Sequence, residues 1–286
     1  MAKISMVMPY FGKWPKWFNL YLETCRYNST IDWTFFTNCE EPENRMGNVS
    51  YIKMSLAEFN FLASTKLGFK VSITNPIKIC DIRPAFGVIF EDYLKGSDFW
   101  GHGDIDLIYG DIGKFIRRAD TDGFEIISPG SNSIVGNFTL YKNISKINLL
   151  YEQIPGYRKL CQWVWPLQVD EYNMANLLNK MILRKEIKSI LRGAVQHDIL
   201  RPRTLSKNWS VFWHKGRLSD AKTQEELMYF HFMLSKDTGS FAFPEYKMNM
   251  ESFTLSGERL TPRMHTFKGK LRRFFNHKIR SILSKQ

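Results

Sequence analysis

The first seventy residues constrain the fold more than any other stretch. "KISMVM" is a short apolar run stopped by Pro9, the pattern of a buried first strand. "KWFNLYLETCRYN" follows, with Trp17, Leu20, Leu22 and Cys25 near helical spacing. "DWTFFTN" and "VSYIKMS" have strand composition, aromatic and β-branched in the first, and "LAEFNFLASTKLGF" predicts a second helix. Strand, helix, strand, strand, helix predicts an α/β chain built on a parallel sheet. With 286 residues the chain can bury one sizeable core and at most a smaller appendage.

Beyond that unit, "PIKICDIRPAFGVIFEDYLKG" predicts a helix closed by Gly96. "DFWGHGDIDLIYGDI" predicts a strand that breaks between Gly101 and Asp106, and "FEIISPG" and "NFTLYKN" two more strands. Lys146 to Arg192 is expected to be mostly helical, interrupted around "CQWVWPLQVDEYN". "WSVFWHKGRL" predicts a strand with a turn, and "TQEELMYFHFMLSKD" a helix running into a loop. Residues 1–260 are expected to form one domain, with residues 261–286 as an added C-terminal helix.

That tail differs from the rest. In "FKGKLRRFFNHKIRSILSKQ" the residues Phe267, Leu271, Phe274, Phe275, Ile279, Ile282 and Leu283 fall on one helical face, and Lys and Arg fill most of the remainder. A basic amphipathic helix suits an anionic membrane surface, although a terminal helix packed on the core has the same pattern. The net charge of +12 calls for a polyanionic partner, an anionic surface or a phosphate-bearing ligand. Outside the tail the basic residues are spread, and no nucleic-acid motif occurs, so nucleic acid is not expected as a partner. No window approaches eighteen uninterrupted apolar residues, the N-terminal apolar run is too short for a signal peptide, and the four cysteines are scattered. These features predict reduced thiols and a protein that stays inside the cell.

Three aspartates in "FWGHGDIDLIYGDI" need a reason, because a buried strand rejects unpaired charge. Asp104 and Asp106, at spacing i, i+2, reach one cation if the backbone bends between them, and Gly101 and Gly103 permit a bend. Carboxylate oxygens suit Mg²⁺ or Mn²⁺, and such an ion can bridge a diphosphate. Turn residues capping a hairpin would have the same spacing.

Five segments occur in order: "MVMPYFGKWPKWFNLYLETCRYNSTIDWTFFTN", "PIKICDIRPAFGVIFEDYLKGSDFWGHGDIDLIYGDI", "GNFTLYKN", "DEYNMANLL" and "ELMYFHFMLSKD". This series resembles a family of bacterial glycosyltransferase-like proteins encoded among capsule and O-antigen genes, over most of residues 5–240. The resemblance implies a GT-A-like fold, a single nucleotide-binding α/β sheet with a DxD motif at a strand end. It implies that Pro9, Tyr10, Phe11 and Gly12 form the nucleotide loop, and that Thr37 and Asn38 touch base or ribose. Lys78, Asp81 and Arg83 would face sugar or diphosphate; the family pattern usually has Lys at the Arg83 position.

By the same resemblance a late histidine completes the metal site. His231 matches it best, with His214 and then His102 behind; His102 is also placed among the donor-binding residues, with Asp104. Lys236 would hold the β-phosphate. Mn²⁺ or Mg²⁺ would neutralise the departing nucleoside diphosphate.

Transfer with inversion needs a carboxylate to take the acceptor hydroxyl's proton. Glu171 is the first choice and Asp170 the second, with Asp170 alternatively a helix N-cap. Trp163 and Trp165 offer a wall on which an acceptor sugar stacks. The implied activity is hexosyl transfer, of galactose or galactofuranose, from a UDP-sugar to a lipid-linked polysaccharide acceptor at the cytoplasmic face of the inner membrane. Two rivals stand beside it: a metal-dependent phosphodiesterase using Asp104, Asp106 and Asp111, and a non-catalytic membrane-associated scaffold whose aspartates only cap turns.

Overall fold

The computed structural model describes residues 2–130, 133–191, 195–198, 208–237, 241 and 243–258. The basic tail, residues 261–286, lies outside the described residues. The opening unit is as expected: β1 (Ile4–Tyr10), α1 (Phe18–Arg26), β2 (Ile31–Thr37), β3 (Val49–Lys53) and α2 (Leu56–Leu67). Local chemistry bounds α2 at both ends. Ser55 and Glu58 form a reciprocal capping box, and Gly68 ends the helix at φ 69°, where a side chain would be strained.

After these come β4 (Phe99–Gly103), β5 (Leu107–Tyr109), β6 (Ile126–Ser128), β7 (Phe138–Lys142), α3 (Asn173–Leu183) and β8 (Ser189–Leu191). Seven strands make one sheet in the order β3-β2-β1-β4-β7-β6-β8. Only β7 runs against the others; β3, β2, β1 and β4 are parallel neighbours. The fold is therefore mixed α/β with a parallel-rich central sheet.

Both faces of that sheet are covered, which explains its nearly unbroken apolar strands. Met6, Met8, Trp33, Phe35, Phe99 and Leu140 point to the side of α1. Their chain neighbours Val7, Phe36, Trp100 and Tyr141 point to the side of α2 and the segment around Phe86. Strand period two thus sorts consecutive large residues into two separate cores. Gly101 sits where the sheet leaves no room for a side chain, since a Cβ there would lie 2.6 Å from both Leu140 Cδ2 and Met6 Sδ. Close packing requires that glycine; the chain turns later, over Asp104–Asp106.

Two stretches expected as helix differ from the expectation: the first is helical only as 3-10 turns around one short α-helical turn, Phe86–Ile89, and the second is not helical. Pro76–Ala85 is a 3-10 helix, begun by Asn75 Oδ1 accepting from Ile77 N at 3.1 Å and holding Pro84, which cannot donate an α-helical bond. The stretch "ELMYFH" is extended: β12 (Glu226–Leu227) pairs with β11 (Arg217–Asp220), and β13 (Tyr229–His231) lies between β5 and β9 (Val195–His197). Alternating burial partners favour strand there. Tyr229 joins the α1-side core, and Phe230 packs on Trp209 of β10 (Asn208–His214). The expected strand and turn at "WSVFWHKGRL" is present as the β10–β11 hairpin, with Lys215 and Gly216 both at positive φ. With β14 (Ser252–Glu258) these strands form a small antiparallel sheet over Trp209, Trp213 and Leu255. Among the described residues no helix is long and apolar enough to cross a membrane, and all four cysteines are free thiols.

Candidate functional site

β1 and β4 are parallel neighbours, so their C-terminal ends open on the same edge of the sheet. In open α/β sheets that edge is where ligands bind. The β1 end carries Tyr10–Gly12, and the β4 end carries Asp104–Asp106. Ligand atoms of Asp104, Asp106 and His231 all lie within 4.8 Å of one another. His231 reaches them because β13 pairs with β5, placing His231 opposite Leu107, the residue after Asp106.

Asp106 is buried between Lys236 and His231. Lys236 Nζ is 2.6 Å from its Oδ2, and His231 Nε2 is 3.4 Å from its Oδ1. Burial would raise the Asp106 pKa, but His231 and Lys236 outweigh it and hold the carboxyl well below the usual range. Burial likewise opposes the charge on His231, yet Asp106 and Asp104 overcome that and raise its pKa. Two carboxylates and one imidazole are a donor set suited to Mn²⁺ or Mg²⁺. The described residues therefore include a cluster able to hold a divalent cation.

Arg83 links this cluster to a second pair of acids. Its guanidinium donates to Asp104 Oδ1 and to Gly103 O at 3.2 Å through one nitrogen, and to Asp170 Oδ2 at 3.0 Å and Gly136 O at 2.8 Å through the other. Burial disfavours its charge, but Asp104 and Asp170 more than compensate, so its pKa lies above the ordinary value. Asp170 is 2% exposed. Burial pushes its carboxyl up to about 7, with Glu171 adding to the rise and Arg83 opposing it. Glu171 is the more open of the two; its Oε1 accepts from Gly136 N at 3.3 Å. Asp170 is not a helix N-cap, because α3 begins at Asn173.

Several expected contacts are used up within the protein. Lys78 and Asp81, placed in sequence at the donor, are 1% and 0% exposed and pair with each other at 2.6 Å. Asp81 also accepts from Leu167 N at 2.8 Å and Val169 N at 2.9 Å, so the pair fixes the segment that delivers Asp170 rather than touching a ligand. A trio of Cys80, Asp81 and Asp170 is as compact as the first cluster, but those bonds already saturate Asp81. His102 is 1% exposed, packed between Phe86 and Tyr141, with Nδ1 3.1 Å from Gly136 O. Burial, with Arg83 adding, lowers its pKa well below the ordinary value; it underlies the site and presents no atom to a donor or metal. His214 ends β10 in the small sheet and is not in the cluster. Asp111 caps the turn at Lys114, accepting from its N at 3.1 Å, so it supplies no third carboxylate.

The β1 loop is exposed on the same edge. Tyr10 stacks on Trp14 at 5.0 Å, and Lys236 is among the charges acting on its phenol. Phe11 is buried, Pro9 ends within β1, and Gly12 adopts φ 128° and donates to Asn38 Oδ1 at 2.9 Å. Thr37 is buried and accepts from Cys39 N at 3.0 Å, leaving Asn38 as the exposed member of that pair. Trp165 is 56% exposed and Trp163 half-buried, on the segment leading to Asp170.

Sequence reasoning missed three residues around His231. Asn137 Nδ2 is 2.8 Å from His231 Nδ1, Tyr229 Oη is 2.7 Å from Asn137 Oδ1, and His197 Nδ1 is 3.2 Å from His231 Nδ1. Tyr229 and His197 lie at strand ends and Asn137 just before β7, all brought together by pairing between distant segments, which no local spacing announces.

No curated protein matches the chain. Among solved structures, the galactosyltransferase LgtC, in complex with donor and acceptor sugar analogs, is similar at 9% identity and a TM-score of 0.41, over 80% of this chain and 87% of that one. The apo form of the glycosyltransferase GlyE of Streptococcus pneumoniae TIGR4 is similar at 13% identity and a TM-score of 0.35, over 66% of this chain and 45% of that one. A described family, "Family of unknown function (DUF6625)", matches residues 6–261. The match spans most of the sequence, and the chain belongs to the DUF6625 family.

Proposed function

We propose that this protein is a divalent-metal-dependent glycosyltransferase of GT-A-like architecture, moving a hexosyl group from a nucleoside-diphosphate sugar to a saccharide acceptor. One observation carries the proposal: Asp104, Asp106 and His231 converge beside Lys236, at the sheet edge where β1 ends in the Tyr10 loop. Mn²⁺ or Mg²⁺, held by Asp104, Asp106 and His231, would supply Lewis-acid neutralisation of the departing diphosphate. Lys236 adds a positive charge for the β-phosphate. Tyr10 and Asn38 border the nucleotide, with Tyr10 offering a ring already ordered against Trp14.

Arg83 orients Asp104 and Asp170 together, coupling the donor end of the cleft to the acceptor end. Glu171, more exposed than Asp170, takes the acceptor hydroxyl's proton as the glycosidic bond forms, with inversion. Asp170, anchored on Arg83, faces the transferred sugar. Trp163 and Trp165 provide the acceptor's stacking wall. A UDP-linked galactose or galactofuranose donor and a lipid-linked O-antigen or capsule acceptor complete the proposal. The basic tail's sequence supports work at the cytoplasmic face of the inner membrane.

Calorimetric titration of UDP with and without Mn²⁺, on wild type and Asp106→Asn, tests the proposal. Metal-dependent UDP binding that disappears in the variant is expected. A folded wild type silent to UDP, GDP, CDP and dTDP would overturn it in favour of a scaffold.

A further inference from the structure

Of the eight tryptophans only Trp165 is exposed; Trp33, Trp100, Trp209 and Trp213 are buried, and Trp14, Trp17 and Trp163 half-buried. Its neighbour Val164 is 68% exposed. Apolar side chains clustered at a surface mark a contact site, where scattered ones do not. The pair continues from a short helix, Tyr157–Gln162, in which Tyr157, Leu160 and Cys161 are buried and Arg158, Lys159 and Gln162 are exposed. That helix lies against the segment from Phe69 to Lys78. The Arg158 guanidinium is 5.7 Å from the Phe69 ring centre, Gln162 Nε2 donates to Lys70 O at 3.2 Å, and Lys78 Nζ donates to Leu160 O at 2.8 Å. Lys70 and Ile77 are exposed on that segment. No Asp or Glu occurs from Phe59 to Cys80, or from Gln153 to Val169. The two adjoining segments therefore expose cationic and apolar side chains and contribute no acid.

That combination selects among occupants. A saccharide would stack on Trp165 but leave Lys70, Arg158 and Lys159 without counter-charges. Protein interfaces are poor in lysine. An anionic bilayer answers every feature, with phosphate headgroups for the cations, acyl chains for Val164, and an interfacial zone that favours tryptophan. We propose that this surface, led by Val164 and Trp165 and flanked by Lys70, Arg158 and Lys159, docks on an anionic phospholipid bilayer, as a contact separate from the tail. Asp170 follows Trp165 by five residues, so under the transferase reading the bilayer borders the acid pair and the acceptor arrives from that surface. Only that consequence rests on the transferase reading; the docking does not.

The test uses the full chain and vesicles of phosphatidylglycerol and phosphatidylcholine, with and without brominated acyl chains, which quench tryptophan fluorescence on contact. Residues 259–286 contain no tryptophan, so a chain held by its tail alone keeps its fluorescence. The wild type is expected to sediment with the vesicles and to be quenched by the brominated ones. Trp165→Phe is expected to lose most of the quenching, and so is Val164→Asp, which puts a charge where acyl chains would lie. Vesicles of phosphatidylcholine alone are expected to give little quenching. A wild type that sediments unquenched overturns the proposal and leaves the tail as the anchor, and a wild type that does not sediment overturns it as well. Quenching retained in both variants assigns the contact to another surface, and equal quenching on phosphatidylcholine removes the anionic requirement; either result overturns the proposal. Circular dichroism checks folding, and should one variant not fold, the other decides. Failure to bind UDP with Mn²⁺ would remove the transferase reading while these results stand.

Discussion

Lys236 Nζ and Asp106 Oδ2 lie 2.6 Å apart although 130 positions separate them in the chain. The Asp106 side chain is 7% exposed and that of Lys236 27%, so the pair is largely shielded from water. Truncating Lys236 to Met leaves Asp106 with His231 as its remaining charged neighbour and removes the charge proposed to meet a diphosphate. Stability should fall by about 1–3 kcal/mol, the range for a charged hydrogen bond lost at a poorly solvated site. UDP affinity in saturating Mn²⁺ should fall about tenfold or more, while Mn²⁺ alone should bind at least as well as before, since a competing cation is gone. Calorimetry with metal alone and then with UDP checks both halves. Equal losses for metal and nucleotide would place Lys236 in the scaffold.

Arg83→Lys should be far from conservative. The guanidinium satisfies four acceptors, Gly103 O, Asp104, Gly136 O and Asp170, and one ammonium on a flexible stem cannot span them. Urea unfolding should report a loss of about 2–4 kcal/mol, built from charged hydrogen bonds worth about 1.5–3 kcal/mol each with partial rescue by the lysine. Wild-type stability in the variant would mean that water replaces the fork at no cost.

The buried Asp170 carboxyl, with its pKa pushed up to about 7, makes a signed prediction about pH. Its folded pKa exceeds the unfolded value near 3.8, so the folded state binds more protons in between. Its contribution to stability is therefore full below about pH 4 and is lost as pH rises through about 7. Asp170→Asn, neutral at every pH, should gain stability relative to wild type across that window. Paired urea midpoints from pH 4 to pH 8 test this, and parallel curves would show that Arg83 keeps Asp170 ionised throughout.

Gly136→Ala should damage the acid pair more than the fold. A Cβ there would lie 2.7 Å from Asp170 Oδ2 and 3.0 Å from Glu171 Cγ, distances that force both side chains to move. We expect transferase turnover to drop at least a hundredfold, as when catalytic groups are misplaced by about an ångström, with a thermal midpoint lowered by only a few degrees. A variant with normal turnover would detach Asp170 and Glu171 from the chemistry.

Much of the architecture was legible from local pattern. The alternation that sends Trp33 and Phe35 to one face and Phe36 to the other marks β2 as a strand with both faces covered. The Asp104–Asp106 spacing marked a bend able to present two carboxylates. "ELMYFH" misled, because a short apolar run fits helix and strand alike. What decides for strand is pairing of β13 with β5 and β9, which are far away in sequence. Lys78 and Asp81 misled in another way: charged residues near a motif suggest a ligand, and only burial reveals that they hold each other and the backbone of Leu167 and Val169.

By itself the sequence determined the parallel-rich sheet and the place where its edge carries acid, since side-chain period and turn residues act over a few positions. Only the tertiary structure decided which cations meet those acids, that Asn137 sits behind His231, and that Arg83 joins Asp104 to Asp170. Those contacts arise from strand pairing and chain closure across roughly 20 to 130 residues. Distance along the chain sets no periodic signal for such meetings, and burial, which gives each charge its partner and its pKa, exists only once the whole core has closed.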